Sequence, residues 1–338
     1  MHNIAIDVFG GDNAPQATIE GSVRAVKACE DIHLLLFGDM KIMEQELKKY
    51  PDADRARFTL RHAPDVIAMD ESPTAAIRTK KDSSMVRALQ AVREGEAACM
   101  VSAGSTGALL AGATFIVRRQ KGVKRPALGM AIPNKKGGVT LLMDCGANTD
   151  CKPSYLQQFA VMASAYMEGV MGAPEPRIGL LNNGAEAEKG NALTKAAYPL
   201  LAAAPINFVG NCEARDILSG DFHGVICDGF DGNVVLKYTE GLAATLVSML
   251  KDELLADTRS KLGALLAKPA FTRFKRIMDY TEYGGAPLLG VEGGVIKAHG
   301  SSNAKAFFAA IGQARNFVQA DVLEAIAQGI ARLPEIED

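Results

Sequence analysis

Short apolar runs along this chain alternate with longer stretches in which apolar side chains recur every third or fourth position, the pattern of strands alternating with helices. Residues 4–8 (IAIDV) alternate too little for a half-exposed strand and predict one buried on both faces. Helical spacing follows from Glu20 (EGSVRAVKA), then an apolar strand from Ile32, a helix over Met40 to Tyr50, a strand near Phe58 to Arg61, and a proline-interrupted loop to Thr74. A helix over Ser83 to Glu94 leads into the strand AACMVSAG, and STGALLAGATFIVRRQ beyond it is helical and rich in small residues. Two strands, ALGMAIP from Ala127 and GGVTLLMDCGA from Gly137, flank NKKGG, so one local antiparallel pair is expected. A helix from Pro153 to Val170, the strand RIGLLNNG, a helix from Glu186 to Ala203, and the strands INFVGN and GVICDG complete the alternation. The pattern predicts an α/β fold: a mostly parallel open sheet with helices on both faces, in three layers.

From Tyr238 to Arg276 the alternation stops and helical spacing takes over. Leu242, Leu246, Met249, Leu250 and Leu254 form one stripe; Leu262, Leu265, Leu266, Phe271, Phe274, Ile277 and Met278 form a second beyond a polar turn at Asp257 to Ser260. Arg259, Lys261, Lys268, Arg273, Lys275 and Arg276 rim the second stripe, so residues 238–281 read as an inserted amphipathic hairpin with a basic edge. The stripes suit a dimer core, and the basic edge also suits an anionic membrane surface or an acidic protein partner. No linker, repeat or low-complexity tract divides the chain, so residues 1–338 read as one domain or as two intimately joined lobes.

At 338 residues and 48% hydrophobic content a large core is possible, and a net charge of −2 gives no electrostatic support for a nucleic-acid partner. The six cysteines are scattered without CxxC spacing, which predicts small buried thiols in a reducing cytoplasm and no structural zinc. Met1 runs directly into the first strand, and no apolar run is long enough to cross a bilayer, so a soluble or peripheral protein is expected.

Five glycine-bearing turns, IAIDVFGGDNAP from Ile4, CMVSAGSTGALLAG from Cys99, LLNNGAEAEKGN from Leu180, VICDGFDGNVVLK from Val225 and IKAHGSSNAKAF from Ile296, each join a strand to a helix. Such turns are expected to collect at the carboxyl ends of the strands, where amide N–H groups and helix N-termini favour an anion. Asp7, Gly11, Ser102, Gly104, Thr106, Asn148, Asn191, Ser301 and Lys305 fall at or beside these ends and are candidates for holding phosphate or substrate, with Lys189 and Lys305 supplying positive charge. A GxSxG elbow, HExxH, a P-loop and a GxGxxG first turn are all missing, which disfavours serine hydrolysis, zinc hydrolysis, P-loop chemistry and a Rossmann dehydrogenase.

Through IAIDVFGGDNAP, SMVRALQAVREGEA, VSAGSTGALLAGAT, GANTDCKP, GLLNNGAEAEKGN, INFVGN, ICDGFDGNVVLK and YGGAPLLGVEGGVIKAHGSS, taken in order, the chain resembles the bacterial phosphate acyltransferase (PlsX) family along nearly its full length. Ser105 and Asn13 stand where that family usually shows Asn and His, and the family usually shows a Thr near Ala185. The resemblance implies an isopropylmalate dehydrogenase-like sheet and transfer of a long-chain acyl group from acyl carrier protein to inorganic phosphate, with no cofactor and no metal. It further implies a homodimer at an anionic membrane, cytoplasmic and peripheral, supplying acyl phosphate for phospholipid synthesis and a downstream glycerol-3-phosphate acyltransferase. In that reading Lys189 neutralises phosphate or oxyanion charge, Asn233 donates to the thioester oxygen, and His299 protonates the departing thiolate. Ser102, Gly104, Thr106 and Asn148 cradle phosphate, while His299, Ser301 and Lys305 close the pocket. Leu262, Leu265 and Leu266, with Arg259, Lys261, Lys268 and Arg273, meet the membrane or carrier. A CoA-dependent phosphotransacetylase, a decarboxylating dehydrogenase of related architecture, and a non-catalytic acyl-sensing scaffold are the competing readings.

Overall fold

The computed structural model describes residues 1–278 and 284–334. Its first part runs β1 (His2–Asp7), α1 (Gln16–Ala28), β2 (Ile32–Gly38), α2 (Met40–Leu47), β3 (Phe58–His62), α3 (Pro73–Thr79), α4 (Ser84–Arg93), β4 (Cys99–Ser102) and α5 (Thr106–Gly112). Then come β5 (Ala127–Pro133), β6 (Val139–Met143), α6 (Pro153–Gly169), β7 (Ile178–Asn182), α7 (Ala192–Ala202), β8 (Phe208–Glu213), β9 (Gly224–Ile226), α8 (Gly229–Leu254) and α9 (Thr258–Met278). The chain closes with β10 (Ala286–Leu289), β11 (Gly294–Lys297), α10 (Ala304–Gln319) and α11 (Val322–Ala331).

All eleven of these strands join one sheet in the order β3-β2-β1-β4-β11-β10-β5-β6-β9-β7-β8. The period-two rule places successive side chains on opposite faces. Ile4, Ile6, Val101 and Ile296 accordingly pack with residues of α1 and α10, whereas Ala5, Met100 and Val295 pack with α3, α4 and α5. In the other half, Leu141, Met143, Leu180 and Ile226 meet α6 and α11, while Leu142 and Val225 meet Leu236 of α8. The three-layer α/β architecture follows from apolar residues on both sides of each central strand. The phenol of Tyr166 on α6 lies inside one layer, and the buried Gln313 of α10 donates to its oxygen, so the polar tip of a core residue is satisfied.

The expected antiparallel pair is present as β5 with β6. It belongs to a larger feature: β11 with β10, β10 with β5, and β5 with β6 are three successive antiparallel pairings. An odd number of reversals makes β6, β9, β7 and β8 run opposite to β1, β2, β3, β4 and β11. The carboxyl ends of the two strand groups therefore point in opposite directions, yet the register brings them nearly level, with Lys297 in line with Ser102 and Ala286 on one side and Leu142 in line with Val225 and Met130 on the other. The turns expected along one edge thus form two facing sets, those after β1, β4 and β11 and those after β6, β7 and β9.

Element bounds differ from expectation where caps decide them. Helix α7 begins at Ala192 rather than Glu186, because Asn191 accepts from the Thr194 N–H at 2.9 Å and residues before it form a turn. Helix α8 begins at Gly229, ahead of Tyr238, with the Asp228 side chain accepting from the Asp231 N–H at 2.8 Å. The hairpin of α8 and α9 turns at Asp257, whose carboxylate accepts from the Arg259 and Ser260 N–H groups. Leu242, Leu246, Met249 and Leu250 on α8 and Leu262, Leu265, Leu266 and Phe274 on α9 are all exposed. Residues 279–281 of the expected hairpin, and the side chains of Lys275, Arg276, Ile277 and Met278, lie outside the described residues. Among the described residues no helix is long and apolar enough to cross a membrane. All six cysteines are free, four of them buried.

Candidate active site

The first set of turns is built around Asp7, at the end of β1. Its carboxylate is 1% exposed and accepts from the hydroxyls of Ser84 (2.5 Å) and Ser102 (2.6 Å). Burial pushes this carboxyl above its usual range; the Ser102 and Ser84 hydroxyls, the Phe9 N–H and the charge of Lys297 pull the other way. Ser102 in turn accepts from the Gly104 N–H at 3.0 Å. Ser102 and Gly104 thus satisfy one another and Asp7, and they shape the turn rather than offering free donors. Thr106 is exposed at the first position of α5, behind the cap Ser105. The turns after β1 and β11 are stitched together: the Asp12 N–H donates to the Gly300 carbonyl at 2.9 Å, and the Asn13 amide donates to the carbonyls of Ser301 and Ser302. Gly11 forms the bend there, its carbonyl accepting from the Ala14 N–H. His299 and Ser301 are exposed, with the His299 Nδ1 2.8 Å from the Ser301 hydroxyl; Lys305 is exposed in the first turn of α10.

The second set centres on Asp144, after β6. This buried carboxylate accepts from the N–H groups of Leu128, Ala147 and Asn148 and from the Asn148 side chain at 2.7 to 3.1 Å. Burial raises its pKa against those four donors. The Asn148 amide also donates to the Pro126 carbonyl at 2.8 Å, so it fixes the GAN loop. That loop lies against α8: the Gly229 N–H donates to the Asn148 carbonyl at 2.7 Å, and Asn233 is the nearest neighbour of Gly146. Asn233 is exposed, and among the described residues no hydrogen bond engages its carboxamide.

Lys189 stands on the turn after β7, the strand beside β9 from which α8 departs. Its backbone is held by Asn182, whose amide donates to the Lys189 carbonyl at 3.1 Å, and by Gly190, whose φ of +108° suits glycine. A side chain at Gly190 would meet the Thr194 hydroxyl at 2.0 Å, so EKGN is a fixed bend. Asn191 caps α7. The Lys189 ammonium is exposed, and among the described residues no ion pair or hydrogen bond engages it. Lys189, on the turn after β7, and Asn233, in the first two turns of α8 after the adjacent β9, therefore both carry uncommitted donors. No hydrogen bond or ion pair among the described residues joins them to each other or to the first set.

Sequence reasoning missed three buried polar residues. Lys297, the last residue of β11, is 7% exposed, and burial lowers its pKa to about 8 against the attraction of Asp7 and Asp12. Asp144 and Ser84 are likewise fully or nearly fully buried. For Lys297 and Asp144 the available signal was positional, since a charged residue inside or just ending an apolar central strand needs a partner or a role; Ser84, at the start of α4, gave no such signal. Among the described residues no group of three or more His, Cys, Asp or Glu side chains is placed to hold a metal ion.

The chain as a whole is similar to known proteins. A family model described as "Fatty acid synthesis protein" matches residues 2–325. The chain is 50% identical over 332 residues to the phosphate acyltransferase of Clostridium botulinum (strain Loch Maree / Type A3), covering 98% of each. It is 48% identical over 332 residues to the phosphate acyltransferase of Clostridioides difficile (strain 630), covering 98% of this chain and 97% of that one. Among solved structures it is similar to a phosphotransacetylase from Streptococcus pyogenes, with a TM-score of 0.60 over 96% of this chain and 94% of that one. At 17% identity that likeness speaks for the fold alone. The glycine turns and the reversed sheet thus belong to an acyltransferase whose acceptor is phosphate, and the chain is a member of the phosphate acyltransferase (PlsX) family.

Proposed function

We infer that the acyl donor is a long-chain thioester of acyl carrier protein and that the acyl phosphate formed feeds phospholipid synthesis. The observation that carries this reading is the hairpin of α8 and α9. Its apolar stripes stand exposed, and Arg259, Lys261, Lys268 and Arg273 are exposed around the second stripe. An acidic carrier and an anionic bilayer both fit that combination of apolar area and positive rim. The hairpin continues the helix that bears Asn233, so its apolar stripe, starting at Leu242, leads along α8 toward the reacting groups.

In the proposed reaction a phosphate oxygen attacks the thioester carbonyl carbon. The resulting oxyanion is stabilised by the Asn233 carboxamide and the Lys189 ammonium, and it collapses with cleavage of the carbon–sulfur bond. The electron pair leaves on the carrier thiolate, which takes a proton from His299 or water. Phosphate is already nucleophilic and a thiolate already leaves well, so positioning carries most of the rate, on the order of 7 to 11 kcal/mol at best. Thr106, Ser301, Lys305 and Asn191 supply further donors, while Asp7, Gly11, Ser102, Gly104 and Asn148 hold the turns in shape. The protein acts in the cytoplasm as a homodimer, peripherally bound at anionic membrane, and passes its product to a glycerol-3-phosphate acyltransferase. Incubating purified protein with phosphate and either palmitoyl acyl carrier protein or palmitoyl-CoA tests the donor. Acyl phosphate and free carrier thiol should form in equal amounts with the former and far more slowly with the latter; a preference for the CoA thioester overturns the reading.

A further inference from the structure

Lys297 is a buried lysine that acyl transfer as described leaves unused. Its register partners are Ser102 on β4 and Ala286 on β10, so it ends a central strand beside the turn that begins at Ser102. Its ammonium donates to the carbonyl of Ala103, at 3.4 Å, and to that of Ala298. One bond therefore ties the turn after β4 and the other the turn after β11. These are the turns that present Thr106 and, one after another, His299 and Ser301. The charged groups acting on the ammonium are Asp7 from β1, Asp12 from the following turn and Lys237 from α8. Lys237 stands one helical turn beyond Asn233. Among the described residues no hydrogen bond joins the two sets of turns, but the charge of Lys237 on α8 is felt at Lys297, where it opposes protonation.

A lysine is an expensive way to fill such a position, because burial opposes its charge and a backbone carbonyl could be satisfied by a neutral donor. While protonated it donates two charge-assisted bonds with a third hydrogen to spare; the neutral amine must commit both remaining hydrogens and donates more weakly. A positive charge under the turns also draws a dianion toward them, with little screening by water.

Resting on the acyl-transfer reading above, we propose that Lys297 is a further positioning residue of this site, whose ammonium locks the β4 and β11 turns in register and gives them the positive charge that retains phosphate. Loss of that ammonium weakens phosphate more than the acyl donor, whose apolar chain is held elsewhere. Because burial brings the group's titration to about pH 8, the wild-type protein itself reports the effect. Phosphate itself still titrates near neutral pH, so its KM is expressed for the dianion and its own ionisation then adds nothing to the profile.

The test measures KM for phosphate and for acyl carrier protein thioester between pH 7 and 9.5 in the wild type, Lys297→Met and Lys297→Arg. The wild-type KM for phosphate should rise at least fivefold as pH passes about 8, with the thioester KM constant within twofold. Lys297→Met should show the high phosphate KM at every pH, and Lys297→Arg a low one without the rise, since guanidinium stays protonated. A phosphate KM flat across the range in the wild type overturns the proposal even if both variants fail to fold. So does a folded Lys297→Met with wild-type phosphate KM. Formation of acyl phosphate by the wild type, and its loss in Lys189→Ala, tests the reaction itself, so failure of the Lys297 arms alone leaves that reading standing.

Discussion

Two glycines of α8 give opposite predictions for the same substitution. At Gly232 an added Cβ would lie 1.9 Å from the Asp144 carbonyl oxygen and 2.8 Å from the Cys227 sulfur; at Gly241 it would meet nothing within 4 Å. In a helix interior, Gly→Ala alone gains about 0.5 to 1 kcal/mol from propensity. Gly241→Ala should show that gain. At Gly232 the obstacle is main chain, which cannot rotate away, and reaching an ordinary contact of 3.4 Å requires a movement of about 1.5 Å. Overpacking of this kind costs about 1 to 3 kcal/mol, and the immobile obstacle places it at the upper end, leaving a net loss of about 2 kcal/mol. The shift also carries Asn233, the next residue, away from the GAN loop, and a displacement of about 1 Å costs on the order of 10²-fold in rate. Urea unfolding and turnover of the two variants, side by side, provide the assay. Equal changes of the same sign, or a Gly232→Ala protein as stable and active as wild type, would refute the close approach of α8 to Asp144.

Three further outcomes are expected. Lys189→Ala should lower turnover at least tenfold with the fold intact, since a charge-assisted contact contributes about 1.5 to 3 kcal/mol; near-normal turnover at saturating phosphate removes Lys189 from the centre. Replacing both Leu265 and Leu266, 65% and 77% exposed, with glutamate should release the protein from anionic vesicles, because each leucine offers about 1.5 to 3 kcal/mol on full burial. Salt should weaken wild-type vesicle binding only in part, and a double variant that still sediments with vesicles excludes this tip from membrane contact. Finally, Arg315 donates to Asp31 at 2.6 and 2.9 Å and holds its carboxyl below the ordinary value of 3.8. A depressed carboxyl stabilises above its unfolded pKa and ceases to as pH falls through the folded one, so Arg315→Ala should cost about 0.2 to 1 kcal/mol at pH 7 and progressively less below pH 3.8. A difference in urea midpoint that is constant from pH 7 to 3 contradicts that linkage.

Most strands and helices of the first half were legible because local periodicity fixes them, and Ile4, Ile6 and Ala5 alternate between two cores as their spacing says; helix α3 was not read, its seven residues from Pro73 being too short for a helical period to show. Strand β10 was not read, since Ala286 to Leu289 is four residues between glycines and contains a proline, too short for any period to show. The reversal of the sheet was invisible for a different reason. It depends on β10 and β11 returning to pair with β5 and β4, contacts between distant parts of the chain that no local pattern encodes. The same holds at the site. Lys189 and Asn233 could be picked out by their glycine-rich company, whereas the commitments of Ser102 to Asp7 and of Asn148 to Asp144 are three-dimensional facts. Lys297 was quoted within its motif but passed over, because its burial follows from the strands on either side of it.

The return of β11 to the side of β4 has a consequence for synthesis on the ribosome. Strands β1 to β4 emerge early and can pair among themselves, yet the inner edge of β4 finds its partner only when the segment from Ala286 onward is released. Helix α10, which covers α1, comes later still. Until then the nascent chain carries an apolar strand with one row of open backbone groups, the kind of edge that recruits wrong partners. A truncation that removes the chain from Ala286 onward is therefore not a trim of the periphery: it removes the centre of the sheet and leaves the earliest-made half as a substrate for chaperones and proteases.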